Sequence, residues 1–193
     1  NATRRSVVVI GAVAPEELCT LTEQGIEVVV ADRSYEDALP LLRARRLTAR
    51  IHLHLDTGLG REGFTLEQLR AGAVDAIGTA KDLLEVVGVL SHFANTEDVT
   101  EQSYASTQLE VFELGFAALQ QRLGLAATTS RHFAASAAAL VLPPSRFDVA
   151  RVGISLYGLW PSPETRLSAK VVVEKAKEAA PSEDDGPESE AGR

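Results

Sequence analysis

Short runs of β-branched residues recur along this chain, each followed by a stretch of helical periodicity, and that alternation restricts the fold more than any single residue does. Residues 6–10 (SVVVI) and 26–31 (IEVVVA) show no polar alternation, the pattern of strands buried on both faces. Pro15-Glu16-Glu17 opens a helix between them, which Gly25 ends. Asp32 or Ser34 caps a second helix running to about Arg46. Further strands are predicted at 50–56, 86–93, 128–134 and 149–156. The intervening segments read as a helix from Thr65 into the 70s with a break near Gly78, a long amphipathic helix over 101–123 and one or two turns over 136–142 ended by Pro143-Pro144. Six β-α units predict a parallel sheet with right-handed crossovers, either a barrel or an open sheet.

The first strand is followed by Gly11-Ala12-Val13-Ala14, which lacks the repeated glycines of a dinucleotide fingerprint, and this lowers the odds of a doubly wound nucleotide binder. A complete eight-unit barrel averages about 30 residues per unit, so six units fill roughly 160. The chain changes character near Trp160-Pro161-Ser162-Pro163. The expected fold class is therefore α/β: a partial (β/α)8 TIM-type barrel of about six units over 1–160, then the start of a β domain. Residues 161–177 form its stub, with a first strand at 167–173, and an acidic tail at 178–193 is expected to be disordered.

A chain of 193 residues suffices for one sizeable core. It contains no methionine, so it is expected to begin within a longer protein, with two barrel units, about 60 residues, ahead of it. Of its net charge of −8, four charges sit in the last 13 residues, 181–193, where five acids oppose Arg193. The mildly acidic body argues against nucleic acid as a partner. No run approaches the roughly 20 apolar residues of a membrane span, and the N-terminus lacks a signal-peptide pattern; cytoplasm is the expected location. The lone Cys19 excludes an internal disulfide and reads as a buried or half-buried helix residue. Asn1-Ala2-Thr3 matches a glycosylation pattern by chance.

The densest chemistry lies in 52–64, HLHLDTGLGREGF. It begins as an alternating strand, with Ile51, Leu53 and Leu55 on one face and His52, His54 and Asp56 on the other, then breaks at Gly58 and Gly60 and delivers Arg61 into a turn. Base rates make a lone loop arginine a solvated one. A parallel α/β fold, however, presents ligand-binding groups at the carboxyl edge of its sheet, and four strand ends here supply polar side chains: His52, His54 and Arg61; His92 and Asn95; His132 and Ser136; Arg151 and Gly153. A histidine beside a strand end is more often a packing residue, and Gly153 could merely relieve crowding. Shared position is what singles these residues out. His52 and His54, at i and i+2, are a candidate metal-ligand pair, but no carboxylate cluster or second histidine pair completes a set, so no metal is expected. Ser136 lacks the nucleophile-elbow pattern of a serine hydrolase.

The stretch Asp56-Thr57-Gly58-Leu59-Gly60-Arg61-Glu62-Gly63-Phe64 resembles the D-T-G-[ML]-G-R-x-G-F segment of bacterial alanine racemases. Ser91-His92-Phe93-Ala94, Ala135-Ser136-Ala137-Ala138 and residues 147–158 (FDVARVGISLYG) resemble further segments of that family in the same order. The resemblance runs from about residue 5 to about residue 175. It implies a pyridoxal 5'-phosphate enzyme interconverting L- and D-alanine for peptidoglycan, a homodimer in full-length form. By it, Arg151 faces the pyridine nitrogen, and Ser136, Gly153 and Ile154 hold the phosphate. Arg61 contacts the phenolic oxygen and the substrate carboxylate, and His92 buttresses Arg151 toward a catalytic tyrosine. The family's Schiff-base lysine motif has no match here. Lys81, Lys170, Lys175 and Lys177 lie outside any such motif, and Tyr157 belongs to the structural L-Y-G, so both catalytic bases are expected elsewhere and the isolated chain is expected to be inactive. Two positions depart from the family pattern: His54 replaces a lysine that is often carbamylated, and Ala135 replaces an asparagine. A related barrel racemase or lyase, or a degenerate binding protein, are the alternative readings.

Overall fold

The computed structural model describes residues 6–97 and 102–179. Five strands, β1 (Val8–Val9), β2 (Glu27–Val30), β3 (Ala49–His54), β4 (Leu84–Leu90) and β5 (Ser130–His132), form one all-parallel sheet in the order β1-β2-β3-β4-β5. Strictly sequential order means that the chain always winds in one direction and never reverses, as it would at the switch point of a doubly wound sheet. This resolves the choice left open by the sequence in favour of a barrel segment.

Helices α1 (Pro15–Glu23), α2 (Tyr35–Arg45), the short α3 (Leu66–Arg70) and α4 (Asp75–Thr79), and the long α5 (Ser103–Leu123) form the crossovers. Their starts follow the sequence signals: Pro15 stands in the first turn of α1, and Thr65 caps α3 in a capping box, with its Oγ1 accepting from the Gln68 N–H while Gln68 Oε1 accepts from the Thr65 N–H. Ser34 is the N-cap residue of α2 but makes no side-chain cap bond; Asp32 Oδ1 instead accepts the Ser34 N–H. The expected break at Gly78 falls earlier, at 71–74, and Gly78 lies inside α4.

Alternation along β3 sends Ile51 and Leu53 into the layer between sheet and helices, where they join Val28, Val30, Val89, Leu119, Phe112 and Phe133 in a continuous core. Each such side chain contributes about 1.5–3 kcal/mol by leaving water. Cys19 is fully buried in this core. The opposite face of the sheet carries Glu27, Arg50, His52 and His132 and lines a cavity of about 980 Å³.

Two expectations are corrected. The predicted sixth strand at 149–156 reduces to a single parallel bridge between Ala135 and Arg151, followed by a 3-10 turn over Ile154–Tyr157. The predicted strand at 167–173, taken as the start of a β domain, is part of helix α7 (Pro163–Ala179), which packs against α6 (Ser136–Val141). Ser162 Oγ accepts the Thr165 N–H and Pro163 occupies the first turn, a helix-opening pair. Among the described side chains of α7, Thr165 and Ala169, four apart, are the buried positions, so helical spacing overrides the apparent alternation. The expectation for the acidic tail lies outside the described residues, apart from its first two positions, which belong to α7. Among the described residues no helix is long and apolar enough to cross a membrane.

Candidate active site

The loop after β3 explains most of the 52–64 motif by local chemistry. Asp56 Oδ1 accepts the backbone N–H groups of Gly58 and Gly60 at 2.9 and 3.0 Å, and the loop returns so that Phe64 N–H donates to His54 O and Asp56 N–H to Phe64 O. Phe64 is buried as the anchor. Gly63 sits at φ +110, where a Cβ would lie 2.6 Å from Asp56 N, so only glycine fits the return. Thr57 is buried and enters a chain of hydrogen bonds: Gln108 Nε2 donates to Thr57 Oγ1, Thr57 Oγ1 to Ser91 Oγ, and Ser91 Oγ to Leu55 O. Arg61 has no such task. Its side chain is 57% exposed and pairs with Glu62 at 3.1 Å.

Arg151 is the centre of the site. Its Nη1 donates to His132 O at 2.8 Å and approaches His132 Nδ1 at 3.2 Å. Its Nη2 donates to Ser91 O at 2.6 Å and Phe133 O at 3.2 Å, and approaches His92 Nδ1 at 3.2 Å. Three carboxyl-edge segments, after β4, after β5 and at Arg151 itself, thus converge on one guanidinium. Among the described residues Nε is its only nitrogen without a partner. Burial first, and then the nearby Arg61 cation, lower its proton affinity to about 10, which leaves it charged at neutral pH. The same Arg61 depresses the proton affinities of His92 and His54 behind burial and Arg151, so it stands within electrostatic reach of the cluster without touching it.

Ser136, at the start of α6, forms a second focus: its Oγ accepts the N–H of Gly153 at 3.0 Å and of Ser155 at 3.4 Å. A Cβ at Gly153 would meet nothing within 4 Å, and the buried Ser155 Oγ has no partner among the described residues. Open space and the hydroxyls of Ser136 and Ser155, which keep protons to donate, meet here beside backbone N–H groups already converging on Ser136 Oγ, a donor set suited to an oxyanion. Ile154 begins the 3-10 turn and is 45% exposed.

The structure therefore brings His92, His132, Ser136, Arg151 and Gly153 together and leaves Arg61 at the rim. His52 turns toward His132 and Glu27, and His54 is buried with its Nδ1 unpartnered, 3.7 Å from Glu62, so the two do not act as a ligand pair. Among the described residues no group of three or more His, Cys, Asp or Glu side chains is placed to hold a metal. Lys81 precedes β4 at its amino end, whereas Arg151 bonds Ser91 beyond the carboxyl end of that strand; both line the cavity. Tyr157 is 82% exposed. Sequence reasoning missed Glu27 and Gln108. Glu27 read as one residue of an apolar strand, and Gln108 as part of a helix face; a buried polar residue inside an otherwise apolar run is the signal that could have flagged both.

A family model described as "Alanine racemase, N-terminal domain" matches residues 1–161. The alanine racemase of Leptospira interrogans is 39% identical over 127 residues, 65% of this chain and 31% of that protein; that of Listeria monocytogenes is 36% identical over 163 residues, 84% and 41%. Among solved structures, alanine racemase from Streptomyces lavendulae superposes with a TM-score of 0.78 at 31% identity, covering 88% of this chain and 44% of the other. Alanine racemase from Bacillus anthracis with bound L-Ala-P gives 0.75 at 29% identity, covering 84% and 41%. The chain spans about a third to two fifths of the length of these curated relatives.

Proposed function

Because this chain belongs to the alanine racemase family, we propose that it forms the cofactor-holding part of a pyridoxal 5'-phosphate-dependent racemase that interconverts L- and D-alanine, supplying D-alanine for peptidoglycan, as a homodimer in its full-length form. The supporting observation is the state of Arg151: both terminal nitrogens are anchored by carbonyls and imidazoles, and Nε is left as a directed donor. The residues present fit the cofactor. The Ser136, Gly153, Ile154 and Ser155 turn offers donors to a phosphate, and Arg151 Nε offers one to a ring nitrogen.

When bound, pyridoxal 5'-phosphate supplies an electron sink for the α-carbon of the amino acid. Arg151 keeps its proton, so toward a ring nitrogen it would serve as a hydrogen-bond donor and not as an acid, which would leave the sink weaker than a protonated ring. His92 Nδ1 accepts from Arg151, which assigns its proton to Nε2 and makes that N–H the donor it offers onward, toward a catalytic tyrosine. In this proposal Arg61, at the rim, is assigned the phenolic oxygen and the substrate carboxylate. The two bases that racemisation requires on opposite faces of the α-carbon are not assigned to this chain's lysines or to Tyr157.

The test is titration of the purified chain with pyridoxal 5'-phosphate and with pyridoxal, followed by borohydride treatment and peptide mass mapping. The phosphorylated form is expected to bind more tightly, with Ser136→Ala removing the difference and no single lysine labelled stoichiometrically. Equal binding of the two compounds would overturn the phosphate assignment, and stoichiometric labelling of Lys81 would overturn the location of the site.

A further inference from the structure

The imidazoles of His132 and His52 and the carboxylate of Glu27 form a continuous hydrogen-bonded line behind Arg151. His132 Nε2 lies 3.0 Å from His52 Nδ1, with the rings at 88°, and His52 Nε2 lies 2.8 Å from Glu27 Oε2. The other carboxylate oxygen is held by Arg50 at 2.9 Å. All three are buried, at 3, 5 and 5% exposure for His132, His52 and Glu27.

The proton positions follow from the ends of the line. A guanidinium has no acceptor, so His132 Nδ1 must accept from Arg151 and its proton sits on Nε2. His52 Nδ1 must then accept from His132, which puts the His52 proton on Nε2, where the Glu27 carboxylate receives it. Every bond therefore donates in one direction, from the cation of Arg151 to the anion of Glu27, and in a buried site each polarises the next. Burial alone would raise the Glu27 carboxyl, but hydrogen bonds from His52, Ser6 and Arg50 outweigh it and hold the group below the usual carboxylate range. Burial and the Arg151 cation hold His132 neutral.

We propose that Glu27 and His52 are positioning residues which act through His132 to fix the orientation of the Arg151 guanidinium. His132 is the only link that touches Arg151; without the outer two, its ring can rotate and exchange tautomers, and the guanidinium loses one of its two imidazole acceptors. The line itself rests on this chain's geometry. Its service to a pyridine nitrogen rests on the proposed function.

The experiment is nitrogen-15 NMR of the chain labelled at histidine and arginine, in wild type, Glu27→Ala and Glu27→Gln. In wild type, His132 and His52 are expected as single Nε2–H tautomers, with Arg151 Nη protons resolved. In Glu27→Ala, two links away, the His132 nitrogens are expected to average between tautomers and the Arg151 Nη protons to coalesce. Glu27→Gln, which keeps an acceptor for His52, is expected to restore both signatures. An unchanged His132 spectrum in Glu27→Ala would overturn the proposal, reducing Glu27 to a partner of Arg50. If that variant does not fold, an Nδ1–H or averaging His132 or His52 in wild type overturns it directly. Pyridoxal 5'-phosphate titration then separates the two readings: affinity about tenfold weaker in Glu27→Ala ties the line to the cofactor. Absence of cofactor binding in wild type counts against the proposed function and leaves the NMR result standing.

Discussion

Gly88 stands opposite His52 in the β3–β4 ladder, at the register shift between Ile51 and His52, and a Cβ at position 88 would overlap the His52 imidazole. The ring that links His132 to Glu27 thus occupies the space of a missing side chain on the neighbouring strand. Gly88→Ala must displace either the ring or the strand. Overpacking of this kind costs about 1–3 kcal/mol, read as a lowered urea midpoint with an unchanged m-value.

A second prediction concerns the loop after β3. Gly63→Ala places a Cβ against the backbone of Asp56 and Leu55 at a left-handed φ, where neither partner can move aside as a side-chain tip could. The expected cost exceeds the roughly 1 kcal/mol typical of an unfavourable φ alone. Hydrogen exchange is expected to speed up at the amides of Asp56 and Phe64, which close the loop. Unchanged exchange there would show that the loop closes by other contacts.

Gln108 is completely buried in α5; its Oε1 accepts the Ala94 N–H at 2.9 Å while its Nε2 donates to Thr57 Oγ1 and His92 O. It ties the segment carrying His92 to the loop carrying Arg61. Gln108→Leu preserves volume but orphans the Ala94 amide and removes a donor to Thr57, for an expected loss of about 1–3 kcal/mol in denaturant unfolding. Gln108→Glu, which still accepts from Ala94, is expected to lose less if that amide dominates.

Stability is expected to fall in mild acid. Burial and nearby cations push His54 down to about 4 and His132 to about 3 from an ordinary 6.5. Below 6.5 the unfolded chain therefore binds protons that the folded one does not. The contribution of each ring is complete above pH 6.5 and is lost as pH falls toward the folded value. By about pH 5.5 each depressed histidine removes about 1.4 kcal/mol. Urea midpoints at about pH 7.5 and 5.5 measure the sum, and His54→Leu is expected to remove its share of the drop. A flat profile would mean that both imidazoles stay accessible to water and protons.

Much of the architecture is legible in the sequence, because it rests on local chemistry. Residues 26–31 can only satisfy their backbone and bury their valines as a strand, Pro15 and Thr65 carry helix starts, and the glycines and Asp56 of 52–64 encode a tight return. The strand proposed at 167–173 failed because a short apolar run is compatible with two periods, and the Ser162-Pro163 opening with burial of Thr165 and Ala169 selected the helical one.

The line of residues by itself determined that a parallel α/β unit forms and that His92, His132 and Ser136 fall at or just beyond strand ends; Arg151 stands in a single bridge where the sequence predicts a sixth strand. Only the tertiary structure decided what those ends do. Neighbours 25 to 59 positions apart along the chain, Glu27 with His52, Gly88 with His52 and His92 with Arg151, meet through strand register and the shape of one missing side chain, and neither is written in local sequence. The directions of donation around Arg151 likewise arise only when a donor that cannot accept is brought against imidazoles that can do both.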